Sequence, residues 1–116
     1  MDIQRLNPTA RWSDATVFNH MAHFVEIAGN TSADIKGQVQ QILAQAELTL
    51  AQVNSDKSRI LSVTIYVTDF MHLTTLNTEW EAWFPEGCAP SRACVKVELA
   101  DPSYLVEMSF VAAVLP

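Results

Sequence analysis

Between residues 59 and 68 the chain alternates strictly. Leu61, Val63, Ile65 and Val67 fall on one side, and Ser62, Thr64, Tyr66 and Thr68 on the other. β-Branched side chains dominate the run, so it predicts the clearest strand of the protein. Between Gly29 and Val53 the period changes. Ile35, Val39, Ile42, Ala46, Leu50 and Val53 recur at steps of three and four and mark one buried stripe of a helix. Gly29-Asn30-Thr31-Ser32 breaks the chain before it. Ser32 or Thr31 is the expected cap, with Asp34 suited to the positive N-terminal end, and Gly37 weakens the first turns slightly.

The remaining elements follow by the same reading. Residues 2–6, 12–18 and a run through His23 to Ile27 predict short strands, with Asn19-His20 as a turn. After the turn Asn54-Ser55-Asp56 and the central strand, Asp69 is the expected cap of a second helix. Phe70, Leu73, Leu76, Trp80, Trp83 and Phe84 supply its apolar side, and Pro85-Glu86-Gly87 ends it. Residues 91–98 predict a strand with Ala93, Val95 and Val97 on one face and Arg92, Cys94, Lys96 and Glu98 on the other. Ala100-Asp101-Pro102-Ser103 turns the chain into a last strand over 104–114.

That last strand is apolar on both faces, with Val106, Met108, Phe110, Ala112 and Val114 on one and Leu105, Val111 and Ala113 on the other. Two helices cover only one face of a sheet this size. The second face therefore predicts cover by another copy, in a homo-oligomer whose subunits pack sheet against sheet.

With 116 residues and 49% apolar side chains, the chain suits one compact domain over 1–116. Seven basic against 13 acidic residues give a net charge of −6, which disfavours nonspecific nucleic-acid binding and attraction to anionic membranes. No apolar stretch reaches the ~20 residues of a membrane span, and the N-terminus has no signal-peptide pattern. A cytoplasmic chain with reduced thiols is expected. Cys88 and Cys94 are too few for a disulfide framework, and their spacing matches no metal motif. His20, His23 and His72 are scattered, so no metal site is read.

Glu107 is the odd group, a carboxylate in mid-strand between Val106 and Met108. Burying it is costly unless it is paired, hydrogen-bonded or protonated. Arg92 offers a planar fork of donors that suits a carboxylate. If the last two strands form an antiparallel hairpin, the two residues approach one another. They then read either as a site that holds a carboxylate ligand and handles a proton, or as a structural salt bridge. Cys94 shares the Arg92 face and reads either as a cation-activated thiolate or, the commoner role, as a small core residue. There is no phosphate-binding glycine loop and no nucleophile elbow.

The segment Ala89-Pro90-Ser91-Arg92-Ala93-Cys94-Val95-Lys96-Val97, followed by Val106-Glu107-Met108, resembles the C-terminal signature of the Rid (YjgF/RidA) family of enamine/imine deaminases. Residues 55–69 resemble its central strand and Leu76 to Trp83 its second helix. Ala10-Arg11-Trp12-Ser13-Asp14 looks like a YoaB-type branch of it. The resemblance implies an α+β, chorismate-mutase-like fold, in which a mixed sheet carries two helices on one face. It implies a homotrimer with clefts between subunits, no metal or organic cofactor, and hydrolysis of imino or enamine acids to 2-keto acids and ammonia. In the family pattern the matching Arg92 binds the substrate carboxylate, and the matching Glu107 positions or activates water. Cys94 matches a common cysteine that turnover does not require.

The chain departs from that pattern at two places. RidA-type members carry Gly-Pro-Tyr near the N-terminus, whose tyrosine lines the cleft, where this chain has Arg11-Trp12-Ser13. They carry Ser-Gly-Gln where this chain has Phe24-Val25-Glu26. Val25 adds a side chain at a place of close backbone approach, and Glu26 adds a negative charge. Trp12, Val25 and Glu26 thus join Arg92, Cys94 and Glu107 as expected ligand contacts. Two functions follow from this: a deaminase, or a trimeric binder of small carboxylate metabolites without turnover. The ribonuclease labels attached to some relatives fit poorly with an acidic chain.

Overall fold

The structure, a computed structural model, describes residues 2–116. Six strands form one mixed sheet: β1 (Gln4–Leu6), β2 (Ala15–Phe18), β3 (Met21–Ile27), β4 (Ile60–Val67), β5 (Ser91–Lys96) and β6 (Val106–Ala113). Their order is β1-β2-β3-β6-β4-β5, antiparallel throughout except for the parallel pair β4–β5. Helices α1 (Ile35–Gln52) and α2 (Leu73–Trp83) pack on one face.

The turn between β2 and β3 is set by Asn19 and His20, whose φ angles of 52° and 62° are the left-handed pair that suits a tight hairpin. Asp34 caps α1 by accepting a hydrogen bond from the Gly37 amide at 2.9 Å. Thr31 and Ser32 do not cap it, and Ser32 turns back on Asn30 Oδ1 instead. Asp69 caps a one-turn 3₁₀ helix (Phe70–His72) that leads into α2. Val39, Ile42, Ala46 and Leu50 of α1 and Leu76 and Trp80 of α2 meet Phe24, Ile65, Met108 and Phe110 of the sheet in the core. The Phe24 and Phe110 rings meet at 4.8 Å, tilted by 55°, between neighbouring strands.

Other expectations change as well, and the strand expected over 12–18 begins only at Ala15. Leu61 is not in the buried row: a bulge between Ile60 and Ser62 turns it out, and Ile60 takes its place inside. Phe70 is exposed, because the 3₁₀ turn lies outside the helical period of α2. The last two strands do not form a hairpin. β6 already has β3 and β4 on its two edges, and α2 carries the chain across so that β5 adds to β4 in parallel.

The molecule measures 43 × 38 × 20 Å, and the short dimension is the thickness of one sheet and one helical layer. Alternation and register therefore leave Phe18, Met21, Val25, Val95, Val111 and Ala113 on the sheet face that no helix covers.

Candidate functional site

Arg92 projects from β5, an edge strand. It is in register with Val63 of the buried row, so it emerges on the helical side. Its guanidinium lies 5.3 Å from the centre of the Trp80 ring, a cation–π contact that directs an otherwise exposed side chain. Cys94, two residues on, is on the same face and packs against the core. Burial pushes its thiol up, with the Arg92 charge opposing, which favours the core-residue reading over a reactive thiolate.

Glu107 lies elsewhere. It pairs with Ile27 of β3 and Tyr66 of β4 and projects from the uncovered face. Arg92 is two strands away, three residues along and on the opposite side of the sheet. That is ~10 Å in each in-plane direction before the sheet itself intervenes. The two residues are not a salt bridge within one chain. Among the described residues the single ion pair is Lys57–Glu47 on the surface.

A cavity of about 900 Å³ opens around the edge of β3 beyond the point where β2 stops pairing with it. Trp12, Val25, Glu26 and Glu107 all line it, and Arg92 and Cys94 do not. Trp12 is 62% exposed at the turn of residues 9–12, where Thr9 Oγ1 accepts from the Trp12 amide and donates to its carbonyl. Val25 is 54% exposed on the uncovered face. Glu26 is turned toward α1, where Thr49 Oγ1 donates to it at 3.2 Å and Gln45 Nε2 at 3.5 Å. Burial raises the Glu26 carboxyl, those two hydrogen bonds oppose the rise, and the nearby Asp14 charge adds to it.

Among the cavity residues that the sequence does not single out as contacts are Tyr104 and His23. Tyr104 falls within the last strand expected over 104–114, but the structure leaves it outside β6, in the connection from β5, three residues before Glu107. His23 alternates onto the uncovered face of β3, a signal available only once that face is known to carry the cavity.

A family model described as endoribonuclease L-PSP matches residues 2–114. The RutC family protein YoaB of Escherichia coli K12 is 38% identical over 98% of this chain and its own full length. The chain belongs to the RutC/YjgF family. A RutC family protein of Haemophilus ducreyi is 35% identical, with 97% of each chain covered. In three dimensions the RutC/YjgF chain is similar to NMB1025 of Neisseria meningitidis, a YjgF family member, at TM-score 0.95, 32% identity and coverage of 100% and 98%. An uncharacterised Pseudomonas aeruginosa protein matches at TM-score 0.95 and 36% identity, covering 98% of this chain and all of that one. The 2-iminobutanoate/2-iminopropanoate deaminase of Escherichia coli K12 is a more distant relative, 28% identical over 72% of this chain and 67% of its own.

Proposed function

We propose that this protein hydrolyses imino or enamine acids to 2-keto acids and ammonia, as a homotrimer whose sites lie between subunits. The observation that carries the proposal is the placement of Arg92 and Glu107 on opposite faces of the sheet. A site that uses both must take them from different copies. Glu107 stands in a cavity beside an uncovered apolar face, and Arg92 stands on a free edge strand. Packing sheet against sheet would bring such an edge to such a cavity. The family relative named as a 2-iminobutanoate/2-iminopropanoate deaminase supports the reaction.

The chemistry asks little of the protein. Arg92 binds the substrate carboxylate with its paired N–H donors and holds the electrophilic C2 in place. Glu107 takes a proton from water as the water oxygen bonds to C2 and the C=N bond becomes a C–N bond. The proton returns to nitrogen. Glu107 then carries the remaining hydroxyl proton to the amino nitrogen, the C–N bond breaks as the C=O bond forms, and ammonia leaves. A nuclease would need a strongly basic surface against phosphate, and the chain carries a net charge of −6.

A second reading, a binder of small carboxylates without turnover, is favoured by Val25 and Glu26, which put a branched side chain and a carboxyl into the cavity lining. One assay separates the two. An amino-acid oxidase generates imino acids from a series of amino acids, and keto-acid release is followed with and without the protein. Acceleration that falls at least 100-fold in Arg92→Ala, with an unchanged circular-dichroism spectrum, is the expected outcome. No acceleration with any imine, together with Arg92-dependent binding of keto acids, selects the binder.

A further inference from the structure

The loop between β5 and β6 is held more firmly than its exposure suggests. Gln38 of α1 is 1% exposed, and it is the one buried polar residue among those described. Its side-chain amide grips the two peptide groups that flank Tyr104. Nε2 donates to the Ser103 carbonyl at 3.0 Å, and Oε1 accepts from the Leu105 amide at 3.0 Å. Nε2 also donates to the Thr31 and Ala33 carbonyls at 3.2 Å, which fixes the grip to the entry of α1. On the other side, the Tyr104 amide donates to the Asp101 carbonyl at 3.1 Å, and Asp101 itself accepts from Ser103. An amide buried this deeply is tolerable only when its polar atoms are satisfied, and here they are satisfied mostly by loop backbone.

What this grip positions is one aromatic ring. Tyr104 lines the same cavity as Glu107 and is carried into it by the same stretch of chain. Its hydroxyl has no hydrogen-bond partner among the described residues, whereas the neighbouring Thr49 hydroxyl is committed to Glu26. Trp12, which also lines the cavity, offers only an indole N–H.

Resting on the deaminase reading, we propose that Tyr104 is a catalytic residue of the cleft and that Gln38 is its positioning residue. The Tyr104 hydroxyl donates a hydrogen bond to the oxygen of the attacking water and keeps its own proton. The proton lost by the water goes to Glu107. Tyr104 therefore orients the other oxygen lone pair toward C2 and, when the carbinolamine hydroxyl gives up its proton as ammonia leaves, stabilises the charge on that oxygen. A donor prefixed by a buried amide needs no reorganisation when the substrate arrives.

The test is steady-state imine hydrolysis by the full-length protein, with iminobutanoate generated by an amino-acid oxidase. Tyr104→Phe keeps the ring and its packing, so its melting temperature should stay within about 2 °C of the wild type. Its kcat should fall about 10- to 100-fold while KM moves less than about threefold. Gln38→Met should lower kcat in the wild type but change it less than about twofold in the Tyr104→Phe background, because its effect runs through the hydroxyl. A Tyr104→Phe kcat within twofold of the wild type overturns the proposal and leaves the deaminase reading standing. Equal losses from Gln38→Met in both backgrounds overturn the positioning role. A wild type without turnover overturns the deaminase reading, and this role with it.

Discussion

A carboxylate folded against Gln45 and Thr49 behaves differently from one in water. Glu26 has its pKa raised, chiefly by burial, so the folded state binds its proton more tightly than the unfolded chain does. The stability linked to that proton is fully present below the unfolded value near 4.5 and is lost as pH rises through the folded value. Above that folded value Glu26 is therefore a destabilising group. Glu26→Gln should raise the melting temperature at pH 7 to 8, and the advantage should shrink as the pH approaches 4.5. Thermal melts of both proteins across pH 4 to 8 check the sign, and a gain that grows toward acid would contradict it. Cys94 is shifted in the inert direction, again by burial first. Its alkylation at pH 7, followed by mass spectrometry, should be slower than that of a free cysteine peptide.

At the scale of elements, the caps and turns carry identifiable energies. Asp34→Ala removes the acceptor for the Gly37 amide and should cost about 1 kcal/mol in denaturant unfolding. Gly37 looks replaceable by a better helix former, yet an added Cβ would lie 2.8 Å from the Ala33 Cβ. Gly37→Ala should therefore destabilise the protein despite its helix propensity. His20 holds a left-handed φ without being glycine, and His20→Gly should gain about 0.5–1 kcal/mol. The two helices, the β2–β3 turn and the strands β3, β4 and β6 were legible because each rests on local period or turn chemistry. What was not legible depends on pairing. Leu61 keeps the alternation of its neighbours in sequence, and only the partner strand reveals the bulge beneath it. Arg92 and Glu107 were both identifiable as residues. Their apparent proximity came from adjacency along the chain, and the insertion of β4 between their strands undid it. Tyr104 was read as the first residue of the last strand, and nothing in that alternation marked it as a cavity residue. Its place depends on a buried amide that lies 65 residues away in sequence from Ser103.

At the scale of the whole molecule, a slab 20 Å thick with Phe18, Met21, Val25 and Val95 each more than a third exposed has one face left to cover. Sedimentation at micromolar concentration should give about three times the chain mass, and a clean monomer would reject the assembly. Division of the site between copies makes a stricter demand than assembly alone. Arg92→Ala and Glu107→Gln should each be inactive in imine hydrolysis. Unfolded together and refolded as mixed trimers, they should recover activity, because some interfaces then combine an intact Arg92 from one copy with an intact Glu107 from another. Random mixing in equal amounts restores about a quarter of the sites. Recovery near that level is the predicted result. Mixed trimers as inactive as their parents would place Arg92 and Glu107 in one copy's site and contradict the account.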